Sequence, residues 1–350
     1  MKFISKIYFI IVCLLGISSI SWANQNCGSL ENIKIKIDKE ILLTKTRVFK
    51  DGSIAVRASL AVNPDGGPAS YTVGDHGFTY IANGIARWRN KQREKCDRAC
   101  MKGYYEAEQL GFSIGTNEYC VFAMEVEPVF DGQVIEKCTN GKLIGNGKGK
   151  PVIGEKLTTI LRNNINAYRS TTSLKHLVDG KPHYLNSEKL PIAVTPQKDL
   201  LGKVVWVNAA GMKGTFSLVG DFGPAFGEGS IALHQLLRYG EIREQKTGPI
   251  SVADRCKAVE LNLKPPFVSR PDGGLSDRCK KGYIAKTISD IRAYSGIDDQ
   301  LDFLVLGKAI FEIKDYVIQS EVNQNSIKNR AIESGYSTEK IQQMISCLDN

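Results

Sequence analysis

The chain has 350 residues, 42% of them hydrophobic, and carries 46 Lys and Arg against 37 Asp and Glu for a formal net charge of +9. No internal repeat and no long Ser/Pro/Gly linker interrupts it, so the length suits one large domain or two small ones rather than a repeat array. Lys and Arg are scattered without a repeating aromatic-basic motif, so nucleic acid is not an expected partner.

Residues 1–23 read as an export signal. Lys2 and Lys6 open it, Tyr8 to Ile17 is continuously apolar, and Ser21-Trp22-Ala23 is a small-x-small cleavage site. The apolar run is short for a membrane span, and nothing later is apolar for long enough to cross a bilayer. The expectation is a secreted or periplasmic protein without stable membrane insertion; an uncleaved anchor is the alternative. Removing Lys2 and Lys6 leaves a net charge of +7, which favours an anionic surface or polymer as neighbour. Eight cysteines remain: Cys27, Cys96, Cys100, Cys120, Cys138, Cys256, Cys279 and Cys347. An even number in an exported chain predicts a disulfide framework. Zinc held by Cys96, Cys100, Cys120 and Cys138 is the rival.

In chain order, Ile33, Ile35 and Ile37 alternate with polar residues, and Ile54, Val56 and Ala58 continue that period of two, predicting strands over 32–62. Asn63-Pro64-Asp65-Gly66-Gly67-Pro68 is a turn-rich loop. Residues 85–150 hold four cysteines and read as an insertion, with a strand around Cys120–Val126. A short helix is expected over 153–168, and a strand in the Tyr184–Val194 stretch. Val204–Asn208 and Thr215–Val219 read as a hairpin whose second strand delivers Asp221 at its end. Ile231, Leu233, Leu236 and Leu237 then predict a helix stopped by Gly240. Cys256 and Cys279 bound a Pro-rich loop that a disulfide would close. Residues 321–346 are helix-like, with Cys347 tethering the tail. The expected organisation is a signal segment (1–23), a catalytic domain (24–312) and a helical extension (313–350).

The segment Gly220-Asp221-Phe222-Gly223-Pro224-Ala225-Phe226-Gly227-Glu228-Gly229-Ser230 places two carboxylates seven residues apart across a broken loop. Glycosidic bond hydrolysis needs that equipment: one carboxyl protonates the leaving oxygen and the other activates water or attacks carbon. Three blocks around it resemble the chitosanases of glycoside hydrolase family 75, best known from fungi. They are Asp65-Gly66-Gly67-Pro68-Ala69-Ser70-Tyr71 with Gly77–Gly84, then Tyr184–Val194, then Gly220-Asp221 with Gly227-Glu228-Gly229-Ser230-Ile231-Ala232-Leu233. The resemblance spans about residues 55–240 and leaves 85–150 unmatched. It implies that Asp221 and Glu228 are the catalytic pair, that hydrolysis inverts the anomeric carbon, and that the substrate is chitosan or a related amino-sugar polysaccharide.

Acid and base stay unassigned between the two. A glutamate near a helix start would be held ionised, whereas a carboxyl buried among Phe222, Phe226 and Trp206 would hold its proton. Asp65 is a candidate for contacting sugar hydroxyls or amines, with an Asx-turn as the alternative. Tyr71, Tyr80 and Trp206 are candidates for stacking on sugar rings, with burial in the core as the alternative. Glu188 reads as a solvated strand residue. His76, His176, His183 and His234 show no metal spacing, so neither a metal nor another cofactor is expected. The overall positive charge would repel polycationic chitosan at long range, which makes peptidoglycan a second substrate reading. A non-catalytic carbohydrate-binding protein on the same fold is a further alternative. The fold class expected is β-rich α+β: by analogy, a six-stranded, double-psi-like β-barrel with peripheral helices and disulfide-bounded insertions.

Overall fold

The computed structural model describes residues 27–37, 40–75, 77–158, 164–243 and 296–349. The signal segment, His76 and the Cys256–Cys279 loop lie outside them. Strands β1 (Ser29–Ile37), β2 (Glu40–Val48) and β3 (Ile54–Val62) come first. After a long excursion follow β4 (Ile192–Thr195), β5 (Lys203–Asn208), β6 (Thr215–Phe222), β7 (Glu228–Gly229) and β8 (Ile297–Ile310). Strand β3 pairs with β7 on one side and β8 on the other, so the order β3–β7–β4–β6–β5–β8 closes into a six-stranded barrel. Strands β1 and β2 extend it as an antiparallel hairpin. Two pairs are parallel, β3 with β7 and β4 with β6; the other four are antiparallel.

The barrel strands read as apolar runs because both of their faces are covered. All four residues of β4 are buried, as are Leu301 and Phe303–Leu306 of β8. One core cluster runs from Cys27 to Cys347 and includes Val204, Val205, Leu218 and Val219. Helix α2 (Ile231–Tyr239) starts on Ser230, whose hydroxyl accepts from Leu233 N–H, and ends on Gly240 in the left-handed conformation. The tail forms α3 (Gln324–Glu333) and α4 (Thr338–Ser346), which bury Ile327, Ala331, Ile341 and Met344 in the barrel's core. The Cys27–Cys347 disulfide ties the tail to the strand that opens the fold.

Residues 85–144 build a lobe: a five-stranded sheet in the order Gln92–Lys95, Ile85–Arg89, Tyr119–Val121, Gly141–Ile144, Lys137–Cys138, with helix α1 (Arg98–Gln109) against it. Its core is separate and aromatic, with Tyr104 edge-on to Phe112 and Tyr119. Cys96–Cys100 and Cys120–Cys138 are disulfides, so these four sulfurs are not zinc ligands.

Three local expectations are corrected. The helix predicted over 153–168 is instead two antiparallel strands, Ile153–Leu157 and Ile165–Tyr168; Asn164 sits at φ 56°, which no α-helix accommodates. The strand around Cys120 ends at Val121. The Tyr184–Val194 stretch is interrupted by a turn at 186–190, so Glu188 is not on a strand.

Candidate functional site

Asp221 lies near the end of β6. The register of β6 on β4 passes from Val219 opposite Ala193 to Asp221 opposite Val194, so Gly220 is the extra residue of a β-bulge. A bulge re-aims the side chain that follows it. A Cβ on Gly220 would stand 2.5 Å from Leu185 Cδ1 and 2.9 Å from Ile192 Cγ2, so the bulge packs tightly. Glu228 opens β7 beside Ala61, with Gly227 before it at φ 99°. A side chain on Gly227 would also drive its Cβ to 2.5 Å from the Ser59 carbonyl oxygen.

The parallel pairing of β7 with β3 brings the Asn63–Asp65 loop to the same mouth: Ala61 N–H donates to the Gly227 carbonyl and Asn63 N–H to that of Gly229. Asn63, Asp65, Thr172, Ile192, Val194, Asp221 and Ser230 line one small recess. Asn63 does two jobs. Its amide Oδ1 accepts from Asp65 N–H at 2.8 Å, forming the Asx-turn, and its Nδ2 donates to Glu228 Oε2 at 3.3 Å. The Asx-turn therefore belongs to Asn63, which leaves the Asp65 carboxyl free to accept from Tyr71 Oη–H at 2.7 Å. Asp221 Oδ1 accepts from Ser173 N–H at 2.9 Å, the Ser173 hydroxyl, and Phe222 N–H at 2.9 Å.

All three carboxyls are pushed upward. Burial raises Asp221, and its Ser173 and Phe222 donors oppose that rise. Burial raises Glu228 as well; the Asn63 amide opposes it and the Asp221 charge adds to it. Asp65 is pushed up to about 8, by burial first and then by Asp221, with the Tyr71 hydroxyl pulling the other way. The recess thus retains a proton on Asp65 at neutral pH. None of the three aromatic residues expected to desolvate the pair lines the recess. Phe222 is 41% exposed with Lys198 Nζ 5.1 Å from its ring centroid, and Ile192 and Val194 line the recess instead.

The candidate stacking residues are elsewhere. Tyr71 is 1% exposed and part of the lobe's core, so its ring meets no ligand; only its hydroxyl reaches the site, through Asp65. Trp206 is half-buried, edge-on to Phe216 at 4.7 Å and lying over Gly214 in the β5–β6 hairpin, away from the recess. Glu188 is half-buried rather than fully solvated: its Oε1 accepts from Ala69 N–H at 3.0 Å and props the Asp65 loop, and burial raises it. His234 is fully buried in α2 with Nε2 3.2 Å from the Ala61 carbonyl oxygen, and burial lowers it to about 4. Glu228 precedes the helix cap by two residues; the cap itself is Ser230.

Asn63 and Ser173 were not anticipated. Asn63 carried a local signal, since Asn-Pro-Asp is a turn sequence. Ser173 carried none, lying 48 residues from the carboxylate that it holds. No protein-family model matches this chain, and no curated protein matches its sequence. Among the described residues no helix is long and apolar enough to cross a membrane. The three disulfides among the described residues suit an oxidising compartment.

Proposed function

We propose that this protein is an exported glycoside hydrolase that cleaves β-1,4 linkages inside chitosan or a related amino-sugar polymer, using Asp221 and Glu228. The observation that carries this reading is the convergence of Asp65, Asp221 and Glu228 at one barrel mouth with all three carboxyls held above their ordinary range. The similarity of the three sequence blocks to family 75 chitosanases supports the same pair and an inverting outcome.

The hydrogen bonds divide the labour. Three donors converge on Asp221 Oδ1, which favours its ionised form and suits a base. Glu228 takes a single longer bond from Asn63 beside a like charge, which favours its protonated form and suits an acid. In the reaction Glu228 gives its proton to the glycosidic oxygen as the bond from that oxygen to the anomeric carbon breaks. Asp221 takes a proton from the water whose oxygen bonds to that carbon on the opposite face. The products are a new reducing end and a free hydroxyl. Solvent then returns Glu228 and Asp221 to their starting protonation. Neutral Asp65 adds no charge beside them at neutral pH and can donate a hydrogen bond to a sugar.

The test is substitution. Asp221→Asn and Glu228→Gln keep shape and remove proton exchange, so each is expected to lower turnover by about 10²–10⁴-fold. Thermal unfolding temperature should hold or rise slightly, because each change replaces a carboxyl whose ionised form burial disfavours. Wild-type turnover in either variant removes that residue from the mechanism.

A further inference from the structure

A second concavity adjoins the recess. It is a cleft of about 450 Å3, within the range of about 300–1,000 Å3 usual for ligand sites. One wall is the lobe, through Phe122 and Lys142; the other is formed by the 175–184 hairpin and the 313–318 hairpin, through Lys175, Tyr184 and Tyr316. Thr172 lines both the cleft and the acid recess. Ser173 lines the cleft and donates to Asp221. A polymer with a scissile bond over Asp221 and Glu228 therefore has a direct course into it.

The cleft is lined by two lysines and two carboxylates, and one of those carboxylates is neutralised. Its carboxylates are Glu125 and Asp315; Glu125 Oε2 is already ion-paired with Arg169 Nη1 at 2.7 Å. Lys142 and Lys175 have no ion-pair partner among the described residues, and Lys175 Nζ sits 4.2 Å from the Tyr184 ring centroid. Arg93 stands behind this wall without lining the cleft, its guanidinium 4.3 Å from the Phe122 ring centroid. The aromatic equipment is also in place. Tyr316 is 58% exposed, and both it and Asp315 adopt positive φ, at 62° and 50°. Two consecutive residues with positive φ are what the two-residue turn of the 313–318 hairpin requires, and the turn carries the Tyr316 side chain at its tip. Lys175 N–H donates to the Tyr316 carbonyl and pins the turn.

We propose that this cleft is the binding arm of the hydrolase and that it receives an amino-sugar glycan bearing carboxylate groups, with Tyr316 stacking on a sugar ring and Lys142 and Lys175 meeting the carboxylates. The proposal rests on the glycan-hydrolase reading for its polymer, but not on turnover for its test. Polycationic chitosan would meet two unpaired lysines here.

Calorimetric titration of the Glu228→Gln protein separates binding from hydrolysis. The probes are peptidoglycan glycan strands stripped of their peptides, which expose lactyl carboxylates, the uncharged chitin hexasaccharide and the cationic chitosan hexasaccharide. Stripped strands should bind tightest. Lys142→Ala with Lys175→Ala should weaken them about tenfold or more while leaving the chitin hexasaccharide within about twofold, since a charge-assisted pair is worth roughly one such factor. Tyr316→Ala should weaken both. Equal binding of stripped strands with and without the lysines, tighter binding of the chitosan hexasaccharide, or no binding of stripped strands overturns the proposal. Failure of wild-type protein to hydrolyse any polymer would instead count against the catalytic reading and leave these titrations standing.

Discussion

The barrel mouth and the lobe solve different problems. At the mouth, long-range strand pairing holds three acids together: a bulge aims Asp221, a left-handed glycine sets Glu228, and Asn63 links the Asp65 loop to Glu228. In the lobe, a small sheet with its own aromatic core is stapled by two disulfides and presents a basic side chain to a cleft. The mouth is acidic and set by backbone geometry; the cleft wall on the lobe is cross-linked and carries Lys142. The contrast teaches that net charge is a poor guide to the chemistry of this chain. A surplus of +9 coexists with a site where a carboxyl stays protonated to about pH 8.

The comparison breaks most visibly at Gly227. Alanine there must adopt positive φ and press its Cβ on the Ser59 carbonyl, so Glu228 has to move. We expect stability to fall by about 1–3 kcal/mol, and turnover by about 100-fold, the effect of misplacing a catalytic group by roughly 1 Å. Denaturant melts and reducing-end rates check both. Unchanged turnover would mean that Glu228 tolerates displacement and is not a precisely positioned acid.

Removing Cys120–Cys138 with paired serines should cost the lobe about 3 kcal/mol, the chain-entropy value for a loop of this size. If the two regions are separable, KM for polymer should rise while kcat for a short oligosaccharide holds. A parallel fall in kcat would show that the lobe sets the mouth's geometry, through Tyr71 and its bond to Asp65.

Asp65 sharpens the electrostatic half of the contrast. In the unfolded chain its carboxyl loses a proton near pH 4, whereas in the folded protein it keeps one to about 8. The folded state binds more protons between those values, so stability falls as pH rises through that window and levels off above it. Asp65→Asn should flatten this slope, a difference of about 1–2 kcal/mol once solvent at the mouth is allowed for. Melting temperatures of both proteins from pH 4 to 8 measure it. Parallel slopes would mean that Asp65 titrates as an ordinary carboxylate.

Much of the mouth was legible in the sequence because its signals are local. The hairpin ending at Asp221, the helical spacing of Ile231 to Leu237 and the Gly240 stop lie within a few residues of what they specify. The strand alternation at Ile54, Val56 and Ala58 reads directly as the face of β3 that packs on the core, with Val56 buried and Ile54 and Ala58 partly so. Ser173 could not be read, because its role depends on β6 arriving 48 residues later. Tyr71 and Trp206 misled as stacking residues for a related reason: an aromatic ring suits a core as well as a sugar, and only tertiary packing decides. The 153–168 strands escaped notice because short apolar runs fit either period.

The central claim is that the acid-lined mouth cuts an amino-sugar glycan. Its most direct test is incubation of the purified protein with chitosan, chitin and peptidoglycan, counting new reducing ends. The account predicts that at least one polymer gains reducing ends with wild-type protein and none does with Glu228→Gln. Absence of new ends from all three polymers, or equal release by the variant, would contradict it.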